Sequence, residues 1–245
     1  MNHMRYRFNR TIIVTLGGSI VYPAFIRGKD EHVRPGEIDT AFLRRFDRFL
    51  RRHVREGKRF VLVVGGGQLA RRFQEAAARI RGITNDDKDW LGIHATRLNA
   101  HLVRTMFRDI ADPVVIDERG RVKRLRRSVT VAAGWRPGWS TDYIAAVLAY
   151  DFGAQEVIVA GKPAYVYDKD HATHTNAKPL RELSWKAYRN LIPKKWSPGL
   201  HAPMDPIAAK FAEEKGLAAI VVDGRELKNL DALLNGKEFK GTIVR

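Results

Sequence analysis

The chain reads as an α/β protein in which helices cover both faces of a mainly parallel central sheet. Three features point there: short β-branched apolar runs recur along the sequence, several of them stop at glycine-rich turns, and stretches with helical apolar spacing separate them. A strand, a crossover helix and a second strand make a parallel pair. Repeating the unit buries a sheet on both sides, so its strands lose the alternation of a half-exposed sheet.

Thr11-Ile12-Ile13-Val14-Thr15-Leu16 stops at Gly17-Gly18, as a buried strand ending in a turn does. Residues 38–54 then place Ile38, Phe42, Leu43, Phe46, Phe49, Leu50 and Val54 on one helical face, with Asp39 or Thr40 at the start and Gly57 past the end. Phe60-Val61-Leu62-Val63-Val64 runs into Gly65-Gly66-Gly67, and a helix follows from about Leu69. Residues 89–108 read as helix and 114–116 as strand, while 118–127 form a basic, turn-rich segment that suits a hairpin or a loop. The strand at 129–133 leads into Gly134-Trp135-Arg136-Pro137-Gly138-Trp139-Ser140-Thr141. A helix over 142–150 then carries Asp142 in its first turn, where the helix dipole favours an acid. Residues 156–160 read as a buried strand and 161–180 as polar and irregular. Helices are expected at 184–191, 206–215 and 227–234, with strands at 218–222 and 242–244.

No repeat or low-complexity linker divides the chain. Its 245 residues, 44% of them hydrophobic, suit a single domain over residues 1–245. No run approaches the roughly 18 apolar residues a membrane span needs. Residues 1–10 are basic with no apolar signal core behind them, so a cytoplasmic protein is expected. The absence of cysteine removes disulfides, thiolate metal sites and cysteine nucleophiles, leaving backbone amides, hydroxyls, carboxylates, amines and oxygen-bound metals to do any chemistry. A formal charge of +17, from 44 Lys and Arg against 27 Asp and Glu, favours anionic partners, phosphates first. The excess is spread over Arg44-Arg45, Arg51-Arg52, Arg71-Arg72, residues 119–127 and Lys194-Lys195, which leaves both solvated basic faces and a nucleic-acid surface open.

Ligands of parallel sheets gather at the carboxyl ends of the strands. Glycine lets backbone N–H groups approach an anion with no Cβ in the way, so Gly17-Gly18-Ser19 and Gly65-Gly66-Gly67 are candidate phosphate cradles, although either could be only a tight turn. Neither G-x-x-x-x-G-K-[ST] nor a strand-borne G-x-G-x-x-G occurs, which excludes P-loop enzymes and obvious dinucleotide binders. His171 and His174, near Asp168 and Asp170, invite a metal reading but lack EF-hand spacing, and no protein metal site is assigned. Trp135 and Trp139 could stack on a base or pack on the fold.

Taken together, Gly17-Gly18-Ser19, Gly65-Gly66-Gly67 with Leu69-Ala70-Arg71, and Asp89-Trp90-Leu91-Gly92-Ile93 with Ala95-Thr96-Arg97-Leu98-Asn99-Ala100 resemble the archaeal-type UMP kinases of the amino-acid kinase superfamily. Arg136-Pro137-Gly138-Trp139-Ser140-Thr141-Asp142 looks like that family's P-G-x-[ST]-T-D segment. Val166-Tyr167 with Asp170, and Asp205-Pro206-Ile207-Ala208-Ala209-Lys210, extend the likeness over residues 11–243. The glycine loop continues as Gln68-Leu69-Ala70-Arg71, without the histidine of the isopentenyl-phosphate and fosfomycin kinases.

The resemblance implies a three-layer α/β/α sandwich, the amino-acid-kinase fold, and transfer of the ATP γ-phosphoryl group to UMP with Mg²⁺ and no covalent intermediate. It also implies a homo-oligomer, usually a hexamer. Residues from about 10 to 150 would form the acceptor lobe and 151–245 the ATP lobe. By position, Gly18, Ser19, Gly67, Arg71, Gly161, Lys162, Tyr167 and Asp170 would hold ATP, with Arg71 and Lys162 as the catalytic cations. Gly66, Asp89, Trp135, Arg136, Pro137, Gly138, Trp139, Ser140 and Thr141 would hold UMP, Asp89 through the ribose hydroxyls. One segment departs from the family. Its T-[NK]-V-D-G run is Gly161-Lys162-Pro163-Ala164-Tyr165 here, with Ala164 for the aspartate and Tyr165 for the glycine, and Thr15 stands where bacterial relatives carry a lysine. That departure raises the alternative of a kinase-derived nucleotide-binding protein, a sensor or store with weak or no catalysis.

Overall fold

In a computed structural model, which describes residues 5–8, 11–22, 38–195 and 202–245, the apolar runs become strands buried on both faces. Of the basic start of the chain only residues 5–8 fall within that range. In chain order the elements are β1 (Thr11–Leu16), α1 (Gly18–Val21), α2 (Thr40–Arg55), β2 (Arg59–Val64), α3 (Gly67–Ile80), α4 (Asn85–Met106), β3 (Ala111–Ile116), β4 (Val129–Ala132) and α5 (Thr141–Asp151). They continue with β5 (Glu156–Gly161), β6 (Val166–Tyr167), β7 (Pro179–Leu180), β8 (Glu182–Leu183), α6 (Trp185–Leu191), α7 (Pro206–Glu214), β9 (Ala218–Asp223), α8 (Leu227–Leu234) and β10 (Thr242–Val244).

Eight strands form one sheet in the order β3-β4-β2-β1-β5-β9-β10-β8. Every pair in it is parallel except β9 with β10. Side chains alternate between two cores because successive Cβ atoms point to opposite faces. Ile12, Val14, Leu16, Phe60, Leu62, Val64, Ile158 and Ala160 face a core closed by α2, α8 and Ala100, Val103 and Phe107 at the end of α4. Ile13, Val61, Val63, Val157 and Val159 face the other, closed by α5, α6 and α7. Two helical layers around a mainly parallel sheet make the three-layer α/β/α sandwich that the pattern implies.

The helix over 89–108 starts earlier than its apolar spacing shows. Thr84 and Asp87 form a capping box, the Asp87 amide donating to Thr84 Oγ1 at 3.1 Å and the Thr84 amide to Asp87 Oδ2 at 2.8 Å, and this polar signal adds a turn ahead of Asp89. The basic segment at 118–127 is a run of turns and bends, held down by Val122 and Leu125 against the α5-side core. Within the polar stretch at 161–180, β6 and β7 pair as a two-stranded antiparallel ribbon.

Candidate functional site

The loops that leave β4, β2, β1, β5 and β9 lie in that order across the carboxyl edge of the sheet, neighbouring strands being about 4.8 Å apart. The two glycine turns are therefore central. The segment from 134 to 141 flanks them on one side, and residues from 161 flank them on the other. Sheet hydrogen bonding carries into the turns, with Gly17 N donating to Ala160 O and Gly65 N to Leu16 O, both at 3.0 Å.

Gly18, Gly65 and Gly67 touch backbone to backbone. A Cβ on Gly18 would lie 2.0 Å from Gly67 N, and one on Gly65 would lie 2.6 Å from Gly18 N. Gly67 also sits at φ +58°, a left-handed conformation that glycine adopts freely. The turns are thus as close as two backbones can be, with no side chain between them. Ser19 is partly exposed in the short α1, just after the contact.

Helix α4 fixes this arrangement from one side. Asn99, almost fully buried, donates from Nδ2 to Gly65 O at 2.9 Å and to Gly66 O at 3.1 Å. Thr96 Oγ1 accepts from Gly134 N at 2.7 Å while donating to Ile93 O at 2.6 Å. Asp89 Oδ2 accepts from Gly138 N at 2.8 Å, Gly138 being at φ +80°. Burial holds the Asp89 carboxyl above the ordinary carboxylate range, against the pull of that hydrogen bond. One helix thus positions both the central turn and the 134–141 segment.

In that segment Trp135 belongs to the core, its indole N–H donating to Ile116 O at 3.2 Å. Trp139 is half-buried, with the exposed Arg136 guanidinium 4.9 Å over its ring, and Pro137 is half-buried beside them. Ser140 caps α5 by accepting from Tyr143 N at 3.0 Å, and its hydroxyl donates to Asp205, which itself caps α7 by accepting from Ile207 N at 2.8 Å and Ala208 N at 3.1 Å. Thr141 opens α5 and Asp142 follows. Burial first, then the nearby Asp205 charge, pushes the Asp142 carboxyl up to about 8, while a hydrogen bond from Thr15 pulls it down.

On the other side, Gly161 ends β5 with open space around its Cα, and Lys162 is exposed. Arg71, in the first turns of α3, is exposed too. Among the described residues neither cation has a carboxylate partner. Tyr167 stacks on His171 at 4.7 Å and meets Tyr165 edge-on at 6.2 Å, so Tyr165 continues an aromatic ladder. Asp170 accepts from Ala172 N at 2.9 Å and closes a turn, a hydrogen bond that holds its carboxyl below the ordinary range. Among the described residues no three His, Asp or Glu side chains converge as a metal cluster.

Sequence reasoning gave no binding or catalytic role to Asn99, Thr96, Asp142 or Asp205, although all four stand in the segments that carry the resemblance. The first two carried a signal, as polar residues on the stripe Ile93, Thr96, Asn99, Ala100, Val103 that is otherwise apolar.

The sequence pattern of the amino acid kinase family matches residues 10–223. The chain belongs to the amino acid kinase family. Among its amino acid kinase relatives, the uridylate kinase of Hyperthermus butylicus is 30% identical, the match covering 91% of this chain and 98% of that protein. The uridylate kinase of Methanocorpusculum labreanum is 32% identical, over 95% and 94%. The crystal structure of uridylate kinase from Archaeoglobus fulgidus superposes with a TM-score of 0.76 at 28% identity, covering 96% of this chain and 99% of its own. The fold is thus the amino-acid-kinase fold, and among the described residues no helix is long and apolar enough to cross a membrane.

Proposed function

We propose that the chain transfers the γ-phosphoryl group of ATP to UMP, giving ADP and UDP. The observation that carries this reading is the contact of Gly18 with Gly65 and Gly67, flanked by the 134–141 segment and by Lys162. Two nucleotides laid along the carboxyl edge of the sheet from opposite sides would bring their phosphates together over those turns. A UMP phosphate oxygen attacks the γ-phosphorus, the bond to the β–γ bridging oxygen breaks, and ADP leaves. Such transfer asks the protein mainly for positioning and for positive or N–H groups around the moving phosphate, and no side-chain nucleophile is needed. Backbone amides of the glycine turns supply the first part and Arg71 and Lys162 the second.

In this reading the N-terminal lobe, through Gly66, Asp89 and residues 135–141, takes UMP. The C-terminal lobe, through Gly161, Lys162, Tyr167 and Asp170, takes ATP together with Gly18, Ser19, Gly67 and Arg71. Mg²⁺ bound with ATP would neutralise charge on its phosphate oxygens. Asp142, with Asp205 beside it, is the carboxylate pair that would offer oxygen donors to such an ion, and a cation there would offset the burial and the like charge that raise the Asp142 carboxyl. Self-association is part of the proposal, a hexamer by likeness. Phe73, Ile80, Trp90 and Leu98 expose apolar surface on α3 and α4, and Trp90 also lines a cleft of about 500 Å³ with Arg81 and Ile83. A cytoplasmic location is part of the same proposal.

A coupled assay of ADP release with UMP, CMP, dUMP and GMP tests the reading. Turnover with UMP is expected. Pure folded protein with Mg²⁺ and ATP that turns over none of the four would refute it, and tight nucleotide binding without turnover would establish the sensor or store instead.

A further inference from the structure

The amino edge of the sheet, opposite the phosphate site, carries a concentration of arginine. Phe60 N donates to Ser128 O at 2.8 Å and Val129 N to Ile110 O at 3.2 Å, so the residues that enter β2, β3 and β4 lie side by side. These are Arg59, Arg108 and the pair Arg126-Arg127, and Arg55 ends α2 four residues before Arg59. Arg59 is half-buried and the other four are exposed. Neighbouring strands about 4.8 Å apart place Arg59, Arg127 and Arg108 across roughly 10 Å.

Several carboxylates near these arginines are already engaged, and Asp112, second in β3, accepts from Val114 N at 3.0 Å. Asp109 receives both ends of Arg51, at 2.7 and 2.9 Å, and its carboxyl is held down to about 2, chiefly by those hydrogen bonds. Glu56 is held by Lys58 at 2.6 Å and Asp151 by Arg119 at 2.7 Å, while Glu118, past the carboxyl end of β3, is held by Arg121 at 3.0 Å. Arg119 and Arg121, the start of the basic segment, are therefore spent on neighbouring acids. Arg126 and Arg127 at its end are not, and among the described residues none of Arg55, Arg59, Arg108, Arg126 and Arg127 lies within ion-pair distance of a carboxylate. Val122 and Leu125 pack against the core, which holds the intervening loop to the body while its arginines stay in solvent.

We propose that this edge binds the phosphate backbone of a nucleic-acid duplex, independently of the nucleotides at the opposite edge. Arginine suits phosphate because its planar fork donates in pairs and stays charged. Among the described residues no large aromatic side chain is exposed between these arginines, so the surface lacks the stacking platform that unpaired bases use, which favours duplex over single strand. The strands are six residues long, so about 20 Å separate the patch from the glycine turns, and neither ligand blocks the other.

Short fluorescein-labelled duplexes of one sequence, as RNA and as DNA, titrated with the full chain test this by anisotropy over a range of salt. Every phosphate that the protein no longer neutralises should flatten the plot of log K against log salt by about 0.9, so Arg108→Gln/Arg126→Gln/Arg127→Gln should lower the slope by roughly 3 and weaken binding by about tenfold or more. A control of equal charge, Lys186→Gln/Lys228→Gln/Lys240→Gln, should leave both nearly unchanged. Saturating ATP and UMP should not compete with either duplex, and the arm that binds more tightly identifies the source. Absence of binding at low salt, equal weakening by the control, displacement by nucleotides, or preferential binding to phosphatidylserine vesicles would each overturn the proposal.

Discussion

The Ser140 hydroxyl donates to the Asp205 carboxylate, joining the N-terminal cap of α5 to that of α7 across 65 positions of sequence. Asp205→Ala removes two cap hydrogen bonds from α7 and leaves Ser140 without its acceptor. It should cost about 1–2 kcal/mol, read as a lower Cm in urea, and Ser140→Ala about 1. The double variant should lose less than the sum of the two, because the shared bond can be broken only once. Strict additivity would show the two caps to be independent.

Asp142 makes stability depend on pH. Its folded pKa of about 8 exceeds the ordinary 3.8, so between those values the folded chain holds a proton that the unfolded chain releases. That contribution is complete below about pH 4, declines as pH rises, and is gone once pH has passed through about 8. The groups facing the carboxyl are Asp205, Thr15 and Tyr188. Melting temperatures of the ligand-free protein should therefore fall from pH 5 to 8 less steeply in Asp142→Asn than in the parent. In Asp205→Asn, which removes a like charge, the Asp142 step should move to lower pH. Identical pH profiles in all three would contradict the assignment.

Space decides the glycine substitutions. Gly18→Ala would set a methyl group 2.0 Å from Gly67 N and should abolish turnover, with a large loss of melting temperature. Gly82→Ala meets nothing within 4 Å, has no strained φ, and should be neutral or stabilising by about 0.4–1 kcal/mol. A fully active Gly18→Ala enzyme would show that the turns can separate.

Asp89 has two oxygens, and Gly138 takes one of them. Asp89→Ala should raise KM for UMP about tenfold while leaving KM for ATP unchanged, because the 134–141 segment loses its tie to α4. An equal rise in both would place Asp89 outside the acceptor side.

Arg71 and Lys162 are exposed, so replacing either by Gln should leave the melting temperature within about 1 °C of the parent. The effect should fall on kcat, at about 10²- to 10³-fold for Arg71→Gln, as for removal of one preorganised group at a transition state. Because Ala164 stands where the family has an aspartate, Lys162→Gln measures how much of the charge at that end depends on one side chain.

The strands were legible because burial on both faces leaves an unbroken apolar run rich in β-branched residues, as in Ile12-Ile13-Val14 and Val61-Leu62-Val63-Val64. The start of α4 was not, because a capping box is polar and precedes the apolar stripe. The glycine turns were visible as composition, but their mutual contact was not, since nothing in Gly17-Gly18 names Gly65-Gly66-Gly67 as its neighbour. The nearness of Asp142 and Asp205 was hidden for the same reason, being a product of how α5 and α7 pack. Asn99 was readable as a polar residue on a buried stripe, although its targets, two carbonyls in the glycine loop, required the fold.

With Gly18 and Gly67 in contact, a displacement of the loop after the first strand must carry the start of α3 with it, and Asn99 conveys the same shift to α4. In the proposed reading, a nucleotide that tightened either turn would therefore shift the other as well, coupling the ATP contacts of Gly18 and Gly67 to the UMP contact of Gly66 through the backbone alone.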